Sequence, residues 1–245
     1  MPKRFRVLEN SPEVMNALAR KLGLSDKLAF YDVYSLDDPK ALAHIPRPAY
    51  ALLVTIPLTA AWKVRCEAED EALGDPDVRN RDGAACAREK AVIWFKQTID
   101  NACGSIALLH CTINGAASKF ILPGTTLDQL RNDALPLTKD ERAQVLYDNS
   151  AFEEAHQSVA VVGDTRKPAV GSVGGLGQHF VAYVRVVGHL WELDGSRIGP
   201  VDRGEIGEDE DLLSPKALEL GLKRIIKLEC SSGHFSCIAL APTTA

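Results

Sequence analysis

The chain has 245 residues, 46% of them hydrophobic and 25% charged, which suits a globular protein with a sizeable core and excludes wholesale disorder. Its 33 acidic and 28 basic residues give a formal charge of −5, which argues against the basic stripe of a nucleic-acid binder. The longest apolar stretch, Ala49 to Trp62, is broken by Thr55, Pro57 and Thr59 and is shorter than the ~20 residues that cross a bilayer. The amino terminus lacks the apolar run of a signal peptide, and six scattered cysteines are too few for a disulfide scaffold. These features predict a cytoplasmic protein with reduced thiols, the nucleus being the alternative.

In chain order, Ser11 and Pro12 form an N-cap and first helical residue, Val14, Leu18 and Leu22 make an apolar stripe, and Gly23 ends the helix. Tyr50 to Ile56 reads as a buried strand stopped by Pro57. Residues 63–85 are polar and read as an exposed irregular connection, and Ala87 to Thr98 as a helix with Ala91, Trp94 and Phe95 on one face. Cys103 to Cys111 is nearly all apolar, the pattern of a helix buried on every side. Thr138 with Glu141 has the spacing of a capping box. From about 150 to 178 the periodicity is lost and glycines accumulate, which predicts a long functional loop. His179 to Val187 and His189 to Asp194 then read as a hairpin about Gly188, followed by a helix near 214–228 and a last strand from Phe235 to Leu240. No repeat or composition break marks a boundary, so a single α/β-type domain over 1–245 is expected.

Four residues carry candidate chemistry. Cys103 falls at the first turn of the buried helix, where the helix dipole favours a thiolate, although most free cysteines are buried and inert. Gln97 lies six residues upstream and could donate to an oxyanion; a solvated glutamine is the plainer reading. His179 opens a strand beside the glycine-rich loop, where a general base could serve a thiol. Antiparallel return of the hairpin should bring Asp194 near His179, where a carboxylate fixes the imidazole tautomer; otherwise Asp194-Gly195 is an ordinary turn pair.

The blocks QTIDNACGSIALLH (97–110) and HFVAYVRVVGHLWELDG (179–195) resemble the cysteine and histidine blocks of the ubiquitin C-terminal hydrolases, a papain-like thiol protease family. LENSPEVMNALARKLGL near the start, FYDVYSLDDPKALAHIPRPAYALLVTIPLT and FSCIALAP extend the resemblance over nearly the whole chain. It implies a papain-like α+β fold, a mainly antiparallel sheet flanked by helices with the nucleophile at the N-terminus of a buried helix. It also implies Cys103 as nucleophile, His179 as base, Asp194 as orienting carboxylate and Gln97 as oxyanion donor. The segment at about 150–178 matches the family's crossover loop. The implied reaction is cysteine-dependent hydrolysis after the C-terminal glycine of ubiquitin or a ubiquitin-like modifier, releasing small or unfolded adducts. No cofactor or metal is implied, and the expected protein is a monomer that binds the modifier but neither nucleic acid nor membrane. Glu9 and Glu13 are the candidate contacts for the modifier's basic tail, helix-dipole stabilisation being the competing role for Glu13. A papain-like amidase or acyltransferase on a small substrate, and a catalytically idle modifier-binding module, are the alternatives.

Other clusters carry less. Cys230, His234 and Cys237 lack a fourth metal ligand or a CxxC pair. The glycines at 171–177 precede a strand where a phosphate cradle needs a helix, and His110 reads as a core histidine.

Overall fold

The computed structural model describes residues 3–74, 83–160, 177–229 and 235–244. Six strands, β1 (Leu28–Asp32), β2 (Ala51–Pro57), β3 (Gln178–Val186), β4 (His189–Leu193), β5 (Val201–Glu205) and β6 (Ser236–Pro242), form one antiparallel sheet in the order β1-β6-β2-β3-β4-β5. The central β2 is buried at all seven positions, which is why its sequence is apolar on both faces, Thr55 being the exception, rather than alternating. Along β3 the alternation divides two cores. Phe180, Ala182, Val184 and Val186 join one, while Val181 and Tyr183 join the other.

The first core receives α1 (Pro12–Leu22), α5 (Cys103–Ile113), α6 (Thr126–Ala134) and α8 (Ser150–Val159), with α7 (Lys139–Asp148) packed alongside through Leu146. The second receives α3 (Ala60–Leu73), α9 (Pro215–Leu220) and α10 (Leu222–Glu229). Short helices α2 (Pro39–Leu42) and α4 (Gly83–Lys90) lie on the connections. This is the expected α+β arrangement, with α5 buried from Gly104 to Ile113. Among the described residues no helix is long and apolar enough to cross a membrane.

Local signals are realised where they were expected. Ser11 caps α1, and Gly23 closes it at φ 107, where an added Cβ would come within 2.2 Å of the Thr125 side chain. Thr138 and Glu141 form the reciprocal capping box of α7. The hairpin turns through Val187 and Gly188, both at positive φ (49 and 72), the two-residue geometry that matches strand twist.

Four expectations are corrected. Residues 63–73 and 83–85 of the expected irregular connection are helical, the first within α3, because an Ala- and Glu-rich segment needs only the narrow Trp62/Cys66 face for burial. The helix placed at 87–98 ends at Lys90. Beyond it, Val92 to Phe95 are buried on all sides in an extended run whose backbone is paired by α5 and the residue that ends it. Asn114 accepts from the Ile93 N–H at 2.8 Å and donates to the Ile93 carbonyl at 2.9 Å, and His110 Nε2 accepts from the Phe95 N–H at 2.9 Å. The loop expected from 150 begins with α8, started by the Asn149 side chain and anchored by Phe152 in the core; its remainder, 161–176, lies outside the described residues. The helix at 214–228 is two helices, because Gly221 leaves helical geometry where it meets Leu190 and Tyr183 of the sheet. β1 and the polar edge strand β5 are additions to the expected elements.

Candidate active site

Cys103 is the first residue of α5, at the mouth between the helix and the start of β3. The chain reaches it through Asn101, whose left-handed φ of 62 suits an asparagine and whose Nδ2 donates to the Phe5 carbonyl at 3.1 Å. Ala102 has no side chain able to cap the helix, so the first turn of α5 has no N-cap hydrogen bond from it. Gly104 packs against Leu8 and the Phe180 ring, leaving the thiol half-buried.

His179 lies one residue before Phe180, opposite Ile56 of β2. Its Nε2 is 2.6 Å from Asp194 Oδ1. With that nitrogen committed, Nδ1 is the one left to face Cys103, whose side chain is near enough to favour the charged imidazole. Asp194 is buried, and the same Oδ1 accepts from the Ser196 N–H at 2.8 Å and the Ser196 hydroxyl at 2.7 Å. Trp94 Nε1 donates to the Asp194 carbonyl at 3.0 Å. Burial disfavours the charged forms of both partners, but the ion pair and its hydrogen bonds outweigh it. The His179 imidazole is raised above its ordinary range and the Asp194 carboxyl is lowered below its own.

Gln97 reaches the site from the extended segment rather than from a helix end. Its N–H donates to the Gly195 carbonyl at 2.8 Å, and Gly195 packs against its Cβ, a contact that a side chain at 195 would crowd. Cys103, His179 and Asp194 are thus brought together, and Gln97 is tied to the turn that follows Asp194. Glu9 and Glu13 are both exposed; Glu9 follows Leu8, which touches Gly104, and Glu13 sits in the first turn of α1. Cys237 is buried in β6, while Cys230 and His234 lie outside the described residues. Among the described residues no three His, Cys, Asp or Glu are placed to hold a metal.

Three supporting residues are additions to the four read from the sequence. Ser196 carries a local signal, since an aspartate bonding the amide two residues on is an ordinary Asx turn. His110 on α5 and Asn114, the residue that ends it, carry none, because their partners at 93–95 are distant in sequence.

The fold and the thiol, imidazole and carboxylate at its mouth define a papain-like thiol hydrolase. The family described as ubiquitin carboxyl-terminal hydrolase, family 1, matches residues 5–227. Ubiquitin carboxyl-terminal hydrolase 3 of Arabidopsis thaliana is 32% identical over 99% of this chain and 96% of its own length. The human ubiquitin carboxyl-terminal hydrolase isozyme L1 is 30% identical over 97% of this chain and 98% of its own length. The catalytic domain of Trichinella spiralis UCH37, solved bound to ubiquitin vinyl methyl ester, superposes with a TM-score of 0.74 at 20% identity, over 98% of this chain and 96% of that one. The chain belongs to the ubiquitin carboxyl-terminal hydrolase family.

Two core histidines set the acid stability. Burial pushes both His110 and His156 down to about 4. The neutral His156 ring accepts from the Ser105 hydroxyl at 2.5 Å and donates to the Arg6 carbonyl at 2.9 Å. A depressed native value means stability that is full above the unfolded value near 6.5 and lost as pH falls toward 4. His179, shifted upward, contributes fully below 6.5 and loses that contribution as pH rises toward about 10, and Asp194 loses its own only below 3.8. The urea midpoint should therefore fall between pH 7 and pH 4.5, each tenfold weakening of a histidine's proton affinity on folding being worth about 1.4 kcal/mol. A constant midpoint over that range would refute the assignment.

Proposed function

We propose that this protein hydrolyses the bond after the C-terminal glycine of ubiquitin or a ubiquitin-like modifier, with Cys103, His179, Asp194 and Gln97 as its machinery. The observation that supports this most directly is the buried His179–Asp194 pair at 2.6 Å beside Cys103, the first residue of the buried helix α5, in a chain of this family. Cys103 Sγ, its proton already held by the His179 imidazolium that Asp194 keeps in register, attacks the glycine carbonyl carbon. The tetrahedral oxyanion receives hydrogen bonds from Gln97 Nε2 and the Cys103 backbone N–H. Its collapse breaks the C–N bond, and His179 returns the proton to the leaving amine. Water then attacks the thioester, giving its proton to His179, and C–S cleavage releases the acid and restores the Cys103 thiolate beside the His179 imidazolium. The chemistry calls for no metal or organic cofactor. Glu9 and Glu13 are assigned to the basic tail of the modifier, whose arginines they would meet as charge-assisted partners. A monomer acting in the cytoplasm or nucleus, with no nucleic-acid or membrane partner, completes the reading; the described cysteines are all free.

Leaving-group size gives the test. In the family reading the segment before His179 crosses over the site. With α8 taking 150–159, the stretch from Ala160 to Gly177 has a contour of at most about 60 Å. A ring of that circumference is only about 20 Å across, whereas a folded domain of about 80 residues has a radius of gyration near 12 Å and is wider. A fluorogenic ubiquitin C-terminal amide should be cleaved efficiently and folded lysine-linked di-ubiquitin very slowly. Inserting a dozen Gly/Ser residues near Gly163 should raise the second rate selectively. No turnover of the amide would sink the function, and equal rates on both substrates would sink the size filter.

A further inference from the structure

The turn that follows Asp194 is held from behind by α3. Asp70 Oδ1 accepts from Arg197 Nε at 2.6 Å, and Asp70 Oδ2 accepts from the Ile198 N–H at 3.3 Å. Glu69 meets Arg197 Nη1 at 3.0 Å and also pairs with Arg203 of β5. Glu192, buried on β4, closes the ring through Arg197 at 3.6 Å and Arg203 at 2.8 Å, and accepts from the Tyr183 hydroxyl at 2.8 Å. The Arg197 side chain is 2% exposed. Buried ion networks of this kind are poor sources of net stability compared with apolar packing, so their value lies in holding one geometry.

That geometry belongs to the site. Arg197 donates its N–H to the Asp194 carbonyl at 3.2 Å, the Gly195 carbonyl accepts from the Gln97 N–H at 2.8 Å, and Ser196 donates twice to Asp194 Oδ1. Residues 194–197 therefore carry the orienting carboxylate, the anchor of the Gln97 segment and the ion-paired guanidinium in one short turn. Glu69 and Arg203 tie α3 to the sheet, whereas Asp70 grips the turn by both side chain and backbone.

We propose that Asp70, acting through Arg197, is a positioning residue for hydrolysis: it holds the 194–197 turn so that Asp194 and Gln97 keep their places relative to His179. This rests on the function argued above. Asp194 is faced by His179 from β3, by His110 from α5 and by Cys66 from α3, whose thiol lies 3.8 Å from Arg197 Nη1. A turn released from α3 withdraws the carboxylate from His179, and the imidazole then titrates closer to its ordinary value.

Asp70→Asn keeps the shape and removes the charge. It should lower kcat on the ubiquitin amide by about ten- to a hundredfold with little change in KM, the loss that a misplacement near 1 Å produces. The His179 ring, followed by NMR, should titrate at a lower pH than in the wild type. Arg197→Lys, which keeps a point charge but not the planar fork, should move both readings in the same direction. Asp211→Asn, which breaks the Arg47 ion pair at the opposite end of β2, should lower the melting temperature yet leave kcat and the His179 titration unchanged. If Asp70→Asn behaves like Asp211→Asn, losing stability alone, the proposal is overturned. Should Asp70→Asn fail to fold, Arg197→Lys decides the question by the same two measurements. If the wild type does not cleave the amide, the functional reading fails, while the His179 titration still tests the latch.

Discussion

Replacing Cys103 by alanine is expected to abolish hydrolysis of the ubiquitin amide, a loss of ~10⁶ in kcat of the size seen when other acyl-transfer sites lose their nucleophile. Ubiquitin affinity should stay nearly unchanged, because the substitution removes one sulfur from a half-buried position and leaves the α5 backbone in place. Burial separates Cys103 from Cys66, Cys111 and Cys237, though not from Cys86, which is also half-buried. Cys66 is pushed up to about 12 by desolvation, and Cys111 and Cys237 are raised by the same cause. A ubiquitin vinyl probe should therefore label Cys103 in preference to those three, and mass spectrometry of the adduct checks it. Labelling at Cys66 or Cys111, or turnover by the alanine variant above a tenth of wild type, would remove Cys103 from the mechanism.

Gln97→Ala should cost ~10²–10³ in kcat, or about 3–4 kcal/mol, the loss expected for one oxyanion donor. The fold should be unaffected, since the backbone bond from residue 97 to the Gly195 carbonyl does not involve the side chain. The hydrogen bond to the oxyanion forms only as charge develops, so KM should change little. A raised KM with an unchanged kcat would make Gln97 a substrate-binding residue instead. Together the two variants separate the atom that forms the covalent bond from the group that stabilises the charge created by it.

How much of this is legible in the chain depends on how far each residue's partners lie along it. The Ser11 cap, the Thr138/Glu141 box, the Val187-Gly188 turn and the unbroken apolar run of α5 are made by neighbours within a few residues, and each is readable from them. The return of Asp194 to His179 is readable for the same reason, because a tight hairpin makes a fifteen-residue separation local. The cysteine and histidine blocks also carry the family, and with it the assignment of Gln97.

Tertiary structure decided the rest. An apolar run such as Val92 to Phe95 has helical and extended solutions alike, and only the His110 and Asn114 side chains, reaching it from α5, make the extended one pair its amides. Polar 60–73 became a helix whose acidic residues pair with arginines more than a hundred residues away. Sequence by itself determined the elements whose hydrogen bonds close locally and the residue types able to perform thiol hydrolysis. Only the folded chain decided how Asp70, Gln97 and Asp194 meet at one turn, because burying charged and amide groups there is tolerable only when distant partners arrive together to satisfy them.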